Sequence, residues 1–165
     1  RIIRRPKECS ELQIDHFVEL GSMGGEVVEG VRARIMRARA LGFVEYEDVP
    51  VGVAAIKSPL KSYKKKVFGA AGSQYSIEEF SHELGWIYLK ENHRGKGLMT
   101  PLIENMLEEV GNSPVFSTTR SSNIVMQQIL KHFEFKRSGK PYRSVQSPDE
   151  MIRLLLKIPD KKKDE

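Results

Sequence analysis

Cysteine is nearly missing from this chain: Cys9 is the only one in 165 residues. A single thiol excludes an internal disulfide and any cysteine metal cluster. The four histidines, His16, His82, His93 and His132, fall into no metal-ligand spacing. "HELGW" carries Trp86 where a zinc-protease helix needs its second histidine. A nucleotide-binding P-loop is missing too, because "HRGKGLMT" lacks the leading glycine and the hydroxyl residue that must follow its lysine. No apolar run approaches the length of a membrane span, no signal peptide is visible and no repeat is apparent. Arg1 is not an initiator, so the start reads as trimmed, and a cytoplasmic location is the default expectation.

What is present is ordinary in bulk, with 39% hydrophobic and 30% charged residues. The length suits a single domain with a sizeable core, expected over residues 1–159, with 160–165 as a basic and acidic tail. Net charge is +5, gathered partly in "KSYKKK" (61–66) and in the closing "KKKDE". Such a balance fits a nucleic acid, an anionic cofactor or a solvated surface. No recognised nucleic-acid-binding motif accompanies it, so a basic nucleic-acid-binding module stands only as the non-enzyme alternative.

The local patterns read as follows. "SELQ" (10–13) is a capping box opening a short helix with Leu12, Phe17, Val18 and Leu20 as its apolar contacts. Residues 26–40 read as a second helix, with Val27, Val28, Val31, Ile35 and Ala38 inward and Gly42 as its stop. "FVEYED" and "VGVAAIK" form an antiparallel hairpin separated at Val49-Pro50. Residues 58–80 intervene before the next strand, with a short helix expected over 63–70 and a loop over 72–75. Residues 83–89 and 114–119 read as strands, and a helix capped by Ser121 or Ser122 follows the second. Short and long strands, "FEFKRSG" and "MIRLLLKI", end the chain. The order ααββ, insertion, βαβαββ predicts a mixed sheet flanked by helices, with a parallel pair around a right-handed crossover.

The most informative stretch is "NHRGKGLMTPLIENMLEEVG" (92–111). Leu98, Met99, Leu102, Ile103, Met106, Leu107 and Val110 share one helical face, and Gly111 ends the helix. A strand, a basic glycine turn and a helix therefore succeed one another. Free N–H groups at a helix start favour an anion, and glycine lets it come close.

These residues resemble the GNAT family of N-acetyltransferases. Arg94-Gly95-Lys96-Gly97-Leu98-Met99 is similar to the family's Arg/Gln-x-x-Gly-x-Gly/Ala turn, with Leu89 and Glu91 at its Val-x-Pro positions. Asn123 stands where the family has an asparagine opening a helix, and "KHFEF" where that helix ends in Gly-Phe. The likeness covers about 43–158 in element order. It implies an α/β (α+β mixed) fold: a central, largely antiparallel sheet with a splayed parallel strand pair. It also implies acetyl-CoA as cosubstrate and transfer to a primary amine by direct attack in a ternary complex. The backbone of Arg94, Gly95, Lys96, Gly97, Leu98 and Met99 would cradle the pyrophosphate. Tyr88 and Leu89 would flank the acetyl group, the Leu89 N–H would hold the thioester oxygen, and Asn123 would bond the pantetheine arm. A helix cap is the structural alternative for Asn123.

Glu83 has the offset from the strand end at which the histone-acetylating branch places its base. Strand period two sets it on one face with Gly85, Ile87 and Leu89. A solvated strand-end carboxylate is the alternative. Two positions depart from the family pattern. Met99 replaces the last Gly/Ala, and Leu130 replaces the tyrosine that often serves as acid, leaving Tyr88, Tyr142 and His132 as acid candidates. These departures raise a catalytically degenerate CoA-binding regulator as a further alternative. The 58–80 insertion places Tyr63, Lys61 and Lys64 on the substrate side, where Lys61, Lys64, Lys65 and Lys66 would make a positive mouth, the alternative being a surface helix packed by Tyr63, Val67 and Phe68. The acceptor is a small-molecule or peptide amine of unspecified identity. No membrane partner and no metal is expected, and the oligomeric state is open, a homodimer included.

Overall fold

The computed structural model describes residues 2–23, 30–144 and 147–159. The chain order is β1 (Ile2–Arg4), α1 (Glu11–Met23), α2 (Val31–Met36), β2 (Ala40–Tyr46), β3 (Val49–Lys57), α3 (Lys61–Ala71), β4 (His82–Leu89), α4 (Met99–Glu108), β5 (Val115–Arg120), α5 (Ile124–His132), β6 (Lys136–Arg137), β7 (Tyr142–Arg143) and β8 (Met151–Lys157). The sheet runs β1-β2-β3-β4-β5-β8-β6, with β7 also on β8. Every pairing with a described register is antiparallel except β4–β5. This is the mixed, mostly antiparallel sheet flanked by helices that the sequence predicts. No helix among the described residues is long and apolar enough to cross a membrane.

The chain divides into two compact units, Arg1–Ser58 with Leu84–Glu109, and Pro59–Glu83 with Val110–Glu165. In the first, the capping box forms as read: the Ser10 N–H donates to Gln13 Oε1 and the Gln13 N–H to Ser10 Oγ. Ile14, Phe17 and Leu20 of α1 pack with Ile35, Leu41, Phe43, Val53 and Ala55. Leu12 is not among them; it lies off that stripe and is 64% exposed. The helix expected over 26–40 is described only from Val31 and ends at Met36. Residues 26–29, with Val27 and Val28, lie outside the described residues, as does the 160–165 tail. Ala40 already belongs to β2, and Gly42 is a mid-strand residue, not a helix stop. A β-carbon there would meet Met106 Sδ at 2.5 Å and Leu102 Cδ1 at 2.8 Å, so glycine lets α4 lie close on the sheet. The hairpin turns at Glu47-Asp48, both left-handed (φ +51° and +65°), and Val49-Pro50 are strand residues. Two residues with positive φ make the short turn that matches strand twist.

In the second unit, Val67, Phe68 and Ala71 of α3 pack on Phe80, Phe116, Leu154 and Leu156. Phe68 meets Phe80 and Phe116 at ring separations of 5.4 and 5.2 Å. The insertion is thus largely a core helix. Its last carbonyl, Ala71 O, accepts the Lys140 N–H at 2.8 Å beside Gly139 (φ +69°), where a β-carbon would collide with that same oxygen. Strands β1 and β7 are too short to show a sequence period.

Candidate active site

In the first unit, β4 delivers the chain into the glycine turn. Lys90, just past its end, donates its N–H to Val51 O of β3 at 2.8 Å. Successive residues of an extended chain direct their N–H groups to opposite sides, so the N–H and carbonyl of Leu89 point away from β3. Arg94 closes on that carbonyl, its Nε donating to Leu89 O at 2.8 Å and its guanidinium lying 5.3 Å from the Tyr88 ring centre. Gly95 and Gly97 follow with φ +78° and +70°, values that favour glycine. A β-carbon on either would meet nothing within 4 Å, so the space beside this backbone is open. Among the described residues no protein acceptor takes the N–H of Gly95, Lys96 or Gly97. Helix α4 then starts at Met99 without a side-chain cap and without an acidic residue in its first turn. Unclaimed N–H groups, the positive end of the helix dipole and the charges of Arg94 and Lys96 are features that favour an anion beside this turn. Met99 is 7% exposed and counts among the core residues.

Strand β4 is kinked. Trp86 has φ +49° in mid-strand, a conformation that costs a non-glycine residue about 1 kcal/mol or more. The surroundings hold it there. Phe17 meets the indole edge-on at 6.1 Å and Lys57 Nζ sits 4.5 Å above the ring. Gly85 makes room, since a β-carbon would meet Lys57 Cδ at 2.7 Å. The kink breaks the alternation of faces, so the period-two argument placing Glu83 on one face with Leu89 does not hold. Parallel pairing with β5 spans only His82–Val115 and Glu83–Phe116 among the described residues.

In the second unit, Glu83 is a buried carboxylate, 2% exposed. The Tyr63 hydroxyl of α3 donates to Glu83 Oε2 at 3.0 Å, and the Thr118 hydroxyl of β5 approaches the same oxygen at 3.5 Å. The reading of Glu83 as a solvated carboxylate therefore gives way. Burial first, and then the neighbouring Glu83 charge, push the Tyr63 phenol well above its usual value. The Tyr142 phenol is raised by the same two causes in the same order. Both stay protonated at neutral pH. Of the other residues expected on the substrate side, Lys61 pairs with Glu78 at 3.1 Å. Lys64 Nζ donates to Phe80 O at 3.1 Å and Ile77 O at 3.4 Å. Both lysines fasten the chain that follows α3.

Asn123, not Ser121 or Ser122, caps α5, its Oδ1 accepting the Met126 N–H at 3.1 Å. The turn before it is clamped by buried Gln127, whose Nε2 donates to Ser121 O at 2.9 Å and whose Oε1 accepts from Arg137 at 3.0 Å. Gln127 shares the buried face of α5 with Leu130, which is wholly buried. A polar residue on that face was the sequence signal for the clamp. Thr118 had no such signal, being 35 residues from its carboxylate. His132 is exposed and meets only the Phe133 ring at 5.0 Å among its described contacts.

Residues 9–135 match the family model described as Acetyltransferase (GNAT) family. No curated protein matches the sequence. The fold is similar to that of an acyl-CoA N-acyltransferase from Pseudomonas aeruginosa (TM-score 0.70, 11% identity, covering 94% of this chain and 97% of that one). It is similar to yncA from Salmonella typhimurium, solved with its cofactor acetyl-CoA (TM-score 0.67, 14% identity, 97% and 94% covered). It is also similar to a ribosomal-protein-alanine N-acetyltransferase from Brucella melitensis (TM-score 0.64, 15% identity, 96% and 99% covered). Identities at this level carry the fold alone.

Proposed function

Because the chain belongs to the GNAT acetyltransferase family, we propose that it transfers the acetyl group of acetyl-CoA to a primary amine by direct attack in a ternary complex. Acetyl-CoA is the cosubstrate of that family and supplies the activated acetyl group. The observation that carries the reading is the open, positively charged turn at Gly95–Gly97, with its unclaimed N–H groups. In this reading the backbone from Arg94 to Met99 holds the diphosphate. Leu89 and Tyr88 border the reacting group. The Leu89 N–H, directed away from β3, serves as the oxyanion donor, a role worth most where water is excluded. The amide of Asn123 offers its nitrogen to the pantetheine arm while its oxygen keeps the cap.

An ammonium has no lone pair with which to attack, so the acceptor must lose a proton first. Glu83 is the base in this reading, directly or through one water. Tyr63 stands on the acceptor side, with Lys61 and Lys64 fixing the chain beside it. The test is release of free thiol from acetyl-CoA across a panel of amines. With a productive amine, Glu83→Gln should lower kcat about 10²–10⁴-fold. Its KM for acetyl-CoA should not change, and the deficit should shrink at high pH, where amines deprotonate unaided. A mutant with the wild-type rate would return Glu83 to a structural role. Acetyl-CoA binding with no thiol release on any amine would favour a CoA-binding regulator.

A further inference from the structure

Helix α3 enters the second unit as part of its core, yet one of its side chains is spent on a polar task. Val67, Phe68 and Ala71 face Phe80, Phe116, Leu154 and Leu156. Tyr63 stands one turn earlier, its ring 6.5 Å from that of Phe116. Its hydroxyl passes the apolar cluster to reach Glu83 Oε2 at 3.0 Å. We infer that Tyr63 is a positioning residue for Glu83: its O–H holds Oε2 and aims the carboxylate as a proton acceptor. This rests on the reading of Glu83 as the base.

The argument is one of charge and of donors. A carboxylate at 2% exposure has few water partners and needs hydrogen-bond donors to remain charged. Among the groups that face it are Tyr63 from α3, Thr118 from β5 and Tyr142 from β7. His82 is its neighbour on β4. Lys64, next to Tyr63, has turned its ammonium to the carbonyls of Ile77 and Phe80, while the hydroxyls of Tyr63 and Thr118 approach Glu83. A hydroxyl donor has a catalytic advantage over a lysine here. It stabilises the carboxylate without a full opposing charge that would make it a poor proton acceptor. Tyr63 also keeps its proton, since burial and the carboxylate itself oppose phenolate formation. The donor is therefore constant over the pH range in which amines are acetylated. The insertion then has a reason to be helical and packed: the core contacts of Val67 and Phe68 hold the Tyr63 hydroxyl in register with the base.

The test combines Tyr63→Phe, Thr118→Val and Glu83→Gln, each followed by thiol release against pH. Tyr63→Phe keeps the ring on Phe116 and removes only the hydroxyl. It should lower kcat about tenfold, leave the acetyl-CoA KM alone and move the acidic limb of the rate profile upward by about one pH unit. Thr118→Val, acting on the same oxygen from farther away, should move that limb in the same direction by less, and it stands in if Tyr63→Phe fails to fold. In the Glu83→Gln background, Tyr63→Phe should cost almost nothing more. If Glu83→Gln lowers turnover while Tyr63→Phe and Thr118→Val keep the wild-type profile, or if the two losses simply multiply, the positioning role is wrong and the base survives. If Glu83→Gln itself leaves turnover unchanged, the base fails and this inference fails with it.

Discussion

Tyr63 and Tyr142 are the residues at which burial and charge meet most directly, and they tie stability to alkaline pH. Both phenols hold their protons more tightly folded than unfolded. An unfolded phenol titrates near pH 10, so this contribution is intact below about pH 10 and is lost as pH rises through the elevated folded values. Denaturant unfolding at pH 9 and pH 11 should show the wild type losing stability over that interval. Tyr63→Phe, with one fewer phenol to ionise, should lose less. Parallel losses would mean that Tyr63 ionises as freely in the folded chain as in the unfolded one. None of this was legible residue by residue. The sequence offered Tyr63 as an acceptor-side group by its place in the insertion, and Glu83 by its offset from Leu89. That a hydroxyl from one reaches a carboxylate on the other depends on α3 packing over β5, which no local pattern encodes. The same holds for Trp86. Its φ of +49° comes from tertiary packing by Phe17 and Lys57, and it overturned the count of faces along β4.

At the scale of elements, α5 offers a clean separation of two roles in one side chain. Asn123 caps the helix through Oδ1, and we assign its amide nitrogen to the cofactor. Asn123→Asp keeps a good cap and removes the nitrogen donor; Asn123→Ala removes both. The alanine variant should lose about 1 kcal/mol of stability and also raise the acetyl-CoA KM. The aspartate variant should keep its melting temperature and still show the raised KM. An aspartate variant with both values unchanged would make Asn123 a cap alone. Helix α4 and its turn were the most legible elements, because apolar spacing, two glycines and a stop glycine agree with one another. The region before Phe43 was the least. A helical spacing continues through Ala38, but the glycine at 42, read as a stop, is there because Met106 and Leu102 need its space. Local pattern and tertiary demand gave the same residue opposite meanings.

At the scale of the whole molecule, the mixed sheet and its parallel β4–β5 pair follow from the element order read off the sequence, whereas the strand order was not legible there. Arg94 and Lys96 place positive charge beside N–H groups that, among the described residues, no protein acceptor claims. If that turn is a cofactor cradle, acetyl-CoA binds the folded chain and not the unfolded one, and stabilises it by mass action. At 100 times the dissociation constant the gain is about 2.7 kcal/mol. For a chain of this length that raises the melting temperature by roughly 5–10 °C. The measurement is a thermal melt of wild type and Gly97→Val with and without millimolar acetyl-CoA. Gly97 carries a positive φ and borders open space, so valine strains the turn and fills the approach without entering the core. The wild type should shift by that amount and Gly97→Val should not, while the two melt within a few degrees of each other without ligand. No shift in the wild type, or an equal shift in both, would contradict the cradle and with it the proposed reaction.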